Sequence, residues 1–373
     1  MTLKKYFLPV AAAILVTLFA EPSRCDDQLV LRSRTAQVSI AHGGGGIVEF
    51  RFLDDPTNPL NWEITPDLEP KPPGKPYLRG HFLCLDRWGA PSQAEIENGV
   101  PFHGEAPRIV WDVLPQPDAG TLVGKMACTL PLAGLRVRRT VNLHANSALL
   151  TVTEEVTNAN KRGRIFNMVQ HPSIAPPFLD ETTLVDSNAR HGFWQDGSIP
   201  KSRETAEVWP QIVIDSRSVD LRRLRGATAD TTRSDVSSFV FAESDVYGWV
   251  TACNPSRRLL LGYFWKTKDY PWLNIWRYIH QGQVAARGLE FGTTGLHQPF
   301  PGLVKTNRIL TRPLYEYADA NQTISKSYAV FLLKIPEDYR GVAAVSYSAG
   351  RLQVKEQGES NPRVLAMEVG KLF

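Results

Sequence analysis

The stretch LRVRRTVNLH (Leu135 to His144), a three-residue Ala-Asn-Ser link and ALLTVTEEVTN (Ala148 to Asn158) together read as a β-hairpin. Leu135, Val137, Thr140, Val141 and Leu143 roughly keep one apolar face at a two-residue period, which sets the arginines on the other. Short apolar runs of the same kind recur on both sides, each bounded by Gly, Pro, Asn or Asp. Upstream are GIVEFRFL from Gly46 and RIVWDVL from Arg108; downstream come RIFNMVQH, SSFVFAES, YGWVTAC, RLLLGYFW, ARGLEFGT, SYAVFLLKI and AAVSYSAGRLQV. No stretch shows a comparable helical period. Many strands with turn signals and no strand–helix alternation predict an all-β protein, a sandwich or barrel, and all-β domains of this size occur as single units.

The 373 residues include 43% hydrophobic and 21% charged side chains, enough apolar surface for a large core and too little charge for disorder. With 27 Gly and 27 Pro the chain is punctuated too often for a helical bundle. The net charge of +4 comes from scattered residues, so no phosphate-tracking stripe points to a nucleic acid partner. Residues 1–24 run from Lys4 and Lys5 through an apolar stretch to the polar EPSRCDD, the order of a secretory signal. The apolar part, about 15 residues, is short of the roughly 20 that span a bilayer. Export is therefore expected, with residues 27–373 as one mature domain and no stable membrane span. Pro22, Ser23 and Arg24 are a poor processing site for lipid attachment at Cys25. Cys84, Cys128 and Cys253 have neither a paired spacing nor a zinc pattern and read as buried apolar residues.

Several motifs are incomplete. The glycines of HGGGG, His42 to Gly46, have neither the GxSxG partner of an esterase nor the Lys-Ser/Thr of a phosphate loop, and read as a tight turn. His81 and Cys84 have no second pair to complete a metal site. The Pro-rich residues 67–80 read as a loop.

Three segments remain. They are Gly80 to Val113, with Arg87, Trp88 and the turn PFHGE holding His103; Phe166 to Asp180, with His171 in QHPSIAPPFLD; and Tyr270 to Gly295, with Trp272, Trp276 and Glu290 in RGLEFGTTG. In order and spacing these resemble the galactose mutarotase-like family of aldose 1-epimerases over nearly the whole mature chain. The resemblance implies a large twisted β-sandwich (a supersandwich) with its site on the concave face. It also implies anomeric interconversion of a free sugar or sugar derivative, with Glu290 as base, His171 as acid, and His103 and Arg87 on the sugar. Arg79 competes with Arg87, and Asp196 and Asp269 are both candidates for the family's sugar-binding aspartate.

The residue types suit that chemistry on their own terms. Opening a pyranose removes a proton from the anomeric hydroxyl and delivers one to the ring oxygen, which needs one base and one acid and no metal or organic cofactor. Trp272, Trp276 or Trp88 could stack on a pyranose face or belong to the core. The partner expected is a small carbohydrate. A non-catalytic carbohydrate-binding protein with the same fold is the alternative, and a glycoside hydrolase would need Glu105 and Glu290 as opposed carboxylates.

Overall fold

The computed structural model describes residues 28–65, 68, 77–116, 122–226 and 231–373. The expected signal segment and Cys25 lie outside the described residues. Two large antiparallel sheets make the fold, with 11 and 8 strands among the described residues. The centre of the larger sheet runs, neighbour to neighbour, through His81–Asp86, Arg164–Ile174, Gln283–Gly292, Trp272–His280 and Arg233–Val240. The smaller sheet is built around Tyr247–Asn254, Leu259–Lys266, Thr323–Lys334, Leu149–Asn158 and Leu135–Leu143. Leu83, Met168, Leu289 and Phe291 from the first meet Val137, Val152, Leu261 and Val330 from the second in one continuous core. Helix is confined to short pieces such as Gln93–Glu97 and Phe300–Thr306.

Alternation along the strands of the larger sheet explains why they read as almost unbroken apolar runs: both faces are covered. Leu83, Met168, Ile275 and Leu289 face the second sheet. Phe82, Val169, Trp276 and Ala286 face the other way, into a separate apolar cluster that surrounds a cleft. The C-terminal strands Val342–Ser348, Arg351–Glu356 and Val364–Glu368 form a small sheet of their own. Its Val345, Leu352 and Val354 pack with Trp249, Leu260 and Phe331 of the smaller large sheet.

The hairpin forms as its sequence pattern requires, with Leu143 opposite Leu150 and Val137 opposite Val156. One side chain departs from expectation: not all its arginines face out. Arg139, at 1% exposure, sits on the inward face between Val137 and Val141, whereas Thr140 points the other way. A two-residue period leaves no other choice, and the charge is met by Glu154 directly opposite, 2.7 Å from Arg139 Nε. The guanidinium also donates to the carbonyl of Gly45 and lies over the ring of Trp111 at 4.4 Å. HGGGG is thus the expected tight turn: Gly44 and Gly45 have φ of 76° and 62°, and a Cβ on Gly45 would fall 2.6 Å from the Trp111 ring. RIVWDVL shortens to Asp112–Val113, because Pro107 opens a 3₁₀ turn and the Trp111 indole folds back to donate to Ala106 O.

The Arg139–Glu154 pair makes a direct prediction. Arg139→Met leaves Glu154 buried without its counter-charge and lowers the unfolding free energy by about 3–5 kcal/mol. The double variant Arg139→Met/Glu154→Leu recovers part of that loss, because the buried Gln170 Nε2 then loses its Glu154 acceptor. Urea midpoints at unchanged slope measure both.

Candidate active site

A cleft of about 130 Å³ opens on the face of the larger sheet turned away from the second sheet. Four adjacent strands build its floor. Phe82 pairs with His171 across one strand boundary, Ser173 with Gly288 across the next, and Gly288 with Trp276 across the third. Because side chains alternate, this register sets Phe82, His171, Glu290 and Trp276 on one face. Gly288 is required beside them: a Cβ there would lie 2.8 Å from Glu290 Oε1 and 2.9 Å from Trp276 Cβ.

At the floor, His171 Nε2 stands 3.2 Å from Glu290 Oε1. The second carboxyl oxygen accepts the indole N–H of Trp88 at 2.6 Å, and His171 Nδ1 lies 3.0 Å from Ser173 Oγ. The His171 ring stacks on Phe82 at 4.3 Å. Burial raises the Glu290 carboxyl well above the ordinary carboxylate range, partly offset by the Trp88 hydrogen bond. Burial likewise lowers His171 to about 3. Both shifts favour a neutral resting pair. Since Trp88 donates to Oε2, a carboxyl proton belongs on Oε1, facing His171 Nε2; the imidazole then keeps its own proton on Nδ1, toward Ser173.

The first histidine comes from a different kind of element. His103 has a φ of 64° in the turn that follows Phe102. Gly89 donates its amide to His103 Nδ1 and accepts the His103 amide through its carbonyl, each at 3.1 Å. The imidazole is therefore held as the Nε2–H tautomer, with that donor left for the cleft. Gly104 could not be replaced without a clash, because its Cβ would lie 2.0 Å from Leu85 O.

The structure brings His103, His171, Glu290 and Trp276 together around the cleft, along with Trp88. It does not bring Arg87 there. That guanidinium is turned outward onto Glu95, whose Oε1 is 2.6 Å from Nη2, and onto the carboxylate of Asp86, and it lies 3.7 Å over the Phe300 ring. Asp86 also pairs with Arg164, so the end of its strand is clamped with Arg87 out and Trp88 in. Arg79 is half-buried 3.8 Å from Glu63 and does not line the cleft either. Trp272 is fully buried beside Phe193 and Leu296, with its indole N–H donated to Pro313 O at 2.7 Å. Asp196 and Asp269 line no part of the cleft. Glu105 accepts the backbone amides of Leu132 and Ala133, so it shapes a turn and does not face Glu290 as a second carboxylate.

His297 also lines the cleft, from just beyond the last of the three motif segments. It packs edge-on to Trp88 at 4.6 Å, its amide donates to Gln195 Oε1 at 2.9 Å, and burial lowers its imidazole to about 4. Its signal is the LHQP segment just after the Glu290 strand. Trp62, just before the Pro-rich stretch, and Leu78, near its end, also reach the cleft; Trp62 stands edge-on to Trp276 at 5.5 Å. Among the described residues no group of three His, Cys, Asp or Glu is arranged to hold a metal ion, Cys84, Cys128 and Cys253 are free and buried, and no helix is long and apolar enough to cross a membrane.

The architecture is a galactose mutarotase-like β-sandwich. Solved structures share it at low sequence identity. A candidate aldose 1-epimerase from Klebsiella pneumoniae superposes with a TM-score of 0.59 at 14% identity, over 80% of this chain and 77% of the other. A galactose mutarotase related enzyme from Lactobacillus acidophilus gives 0.58 at 13% over 83% and 98%, and a galactose mutarotase-like protein from Clostridium acetobutylicum 0.59 at 13% over 82% and 95%. At such identities the likeness establishes the fold. No family model matches the sequence, and no curated protein does.

The buried imidazoles have a measurable consequence. With folded values of about 3 for His171 and about 4 for His297 against about 6.5 in an unfolded chain, the unfolded state binds more protons below pH 6.5. The stability these groups contribute is full above about pH 6.5 and is lost as pH falls through about 4 for His297 and about 3 for His171. Imidazole carbon resonances of both residues should therefore show no titration between pH 8 and pH 5.5.

Proposed function

We propose that the protein is an aldose 1-epimerase-type isomerase that interconverts the anomers of a free sugar through acid–base ring opening. The observation that carries this reading is the His171 Nε2–Glu290 Oε1 contact of 3.2 Å at the floor of an aromatic-walled cleft. The pair holds one exchangeable proton between two buried groups. Moving it from Glu290 to His171 creates a carboxylate and an imidazolium side by side, with Trp88 bonding the carboxylate.

A pyranose entering the cleft takes the place of the direct contact, with its anomeric hydroxyl at Glu290 and its ring oxygen at His171. Glu290 takes the hydroxyl proton, the C1–O1 bond becomes a carbonyl, the C1–O5 bond breaks, and O5 receives the imidazolium proton. The neutral pair is restored by the same step. Rotation about C1–C2 and reversal of the proton transfers close the ring on the other face. His103, whose Nε2–H is left free, is the donor available to a sugar oxygen as charge develops. We also propose export, on the charge–apolar–polar order of residues 1–24; N-terminal sequencing of the mature protein checks it.

Exchange NMR at the anomeric carbons tests the catalytic reading. The expected result is acceleration by the native protein that falls about 10²–10⁴-fold in Glu290→Gln and in His171→Asn while the folded spectrum is kept. Binding without acceleration by any sugar would make the protein a carbohydrate-recognition module instead.

A further inference from the structure

Resting on that reading of the cleft as a sugar site, we infer that its substrates are uncharged saccharides with an apolar substituent where a common hexose has a hydroxymethyl group, 6-deoxyhexoses being the class it takes. Uronic acids and sugar phosphates are excluded.

The first ground is the supply of hydrogen-bonding groups. Besides the indoles of Trp62, Trp88 and Trp276, five polar side chains among the described residues line the cleft: His103, His171, Ser234, Glu290 and His297. Most of their capacity is already committed. His171 and Glu290 face one another, and the remaining polar atoms of that pair are engaged by Ser173 and Trp88. His103 Nδ1 takes the Gly89 amide, and Ser234 Oγ accepts the indole N–H of Trp276. Trp62, Ile64, Leu78, Phe82, Val236 and Trp276 make the walls. A hexose hydroxyl turned toward the aliphatic and phenyl surface of those walls gives up water without a partner, whereas a methyl group at the same position gains contact.

The second ground is the absence of counter-charge. Among the described residues no lysine or arginine lines the cleft. The nearest expected cation, Arg87, is held outward by Glu95, Asp86 and Phe300. The surroundings that keep Glu290 and the imidazoles neutral act on a ligand carboxylate or phosphate too, and its dehydration goes uncompensated.

Two matched series, run with the full protein, test the inference: 6-deoxy-D-galactose, D-galactose, D-galacturonate and D-galactose 6-phosphate, and the corresponding D-glucose compounds. Exchange NMR gives kcat/KM and calorimetry gives affinity for each. The expected result in at least one series is a 6-deoxy sugar preferred about ten- to a hundredfold over its parent hexose. The uronate and phosphate should fall about a thousandfold below that hexose. A uronate or phosphate equal to the hexose, or a hexose equal to its deoxy form, overturns the inference and leaves the epimerase reading standing. The predicted affinity order without acceleration of any sugar supports the inference and overturns the epimerase reading. No binding in either series overturns both. Val236→Lys, which adds a cation to the wall, should improve uronate relative to hexose affinity at least tenfold; an unchanged ratio removes the electrostatic ground.

Discussion

The geometry of the site depends on a buried ion pair that never touches it. Arg139 and Glu154 lie opposite one another on the hairpin of the smaller sheet, both almost completely buried between the layers. The free oxygen of Glu154 accepts from Gln170 Nε2 at 2.6 Å, and Gln170 belongs to the larger sheet, one residue before His171. Gln170 Oε1 in turn faces His81 Nε2 at 3.1 Å on the neighbouring strand. In an apolar interlayer, directional polar contacts of this kind discriminate among strand registers that greasy side chains alone would tolerate. With Gln170 tied inward, His171 must point outward, and Phe82, paired with it, lies beneath its ring.

Dryness is the site's second constraint. The same walls that leave the His171–Glu290 pair neutral at rest make a charge-separated state expensive unless a fixed dipole supports it. Trp88 is that dipole, and its placement follows from the clamp on the strand end: Asp86 holds Arg87 and Arg164, Glu95 holds Arg87 from the far side, and the indole is left to turn inward. An arginine in the cleft would have added a hydrogen-bond donor, but it would also have favoured the ionised carboxylate over the neutral pair.

The hairpin, the strand-rich architecture and the three motif segments were legible in the sequence because each depends on local spacing: period two for strands, Gly and Pro for the turns that carry His103 and close the Glu290 strand. What was not legible depends on direction. DRWG does not reveal which of Arg87 and Trp88 faces in; that is decided by Glu95 in a short helix and Phe300 far along the chain. YPWLNIW sets Trp272 and Trp276 on the same face of one strand, yet the first falls under the cover of Pro313 and Leu296 and only the second reaches the cleft. Arg139 looked exposed because arginine usually is, and its partner is supplied only once the hairpin pairs. His297 stood outside the motif order and arrives by a return of the chain after the Glu290 strand.

Likeness of fold at 13–14% identity is understandable from how little the fold asks of the sequence. Alternation must hold on a few central strands; in this chain glycine occupies crowded positions such as Gly288 and Gly104, and His171 and Glu290 fall on one face of adjacent strands. None of these requirements specifies the walls. Trp62 and Leu78 enter from a loop, Val236 from a neighbouring strand, and Trp88 from a turn, so each can change without disturbing the register that sets His171 against Glu290. The His171–Glu290 pair is thus fixed by the sheet while the walls around it come from loops and neighbouring strands, and the two can diverge independently on one scaffold.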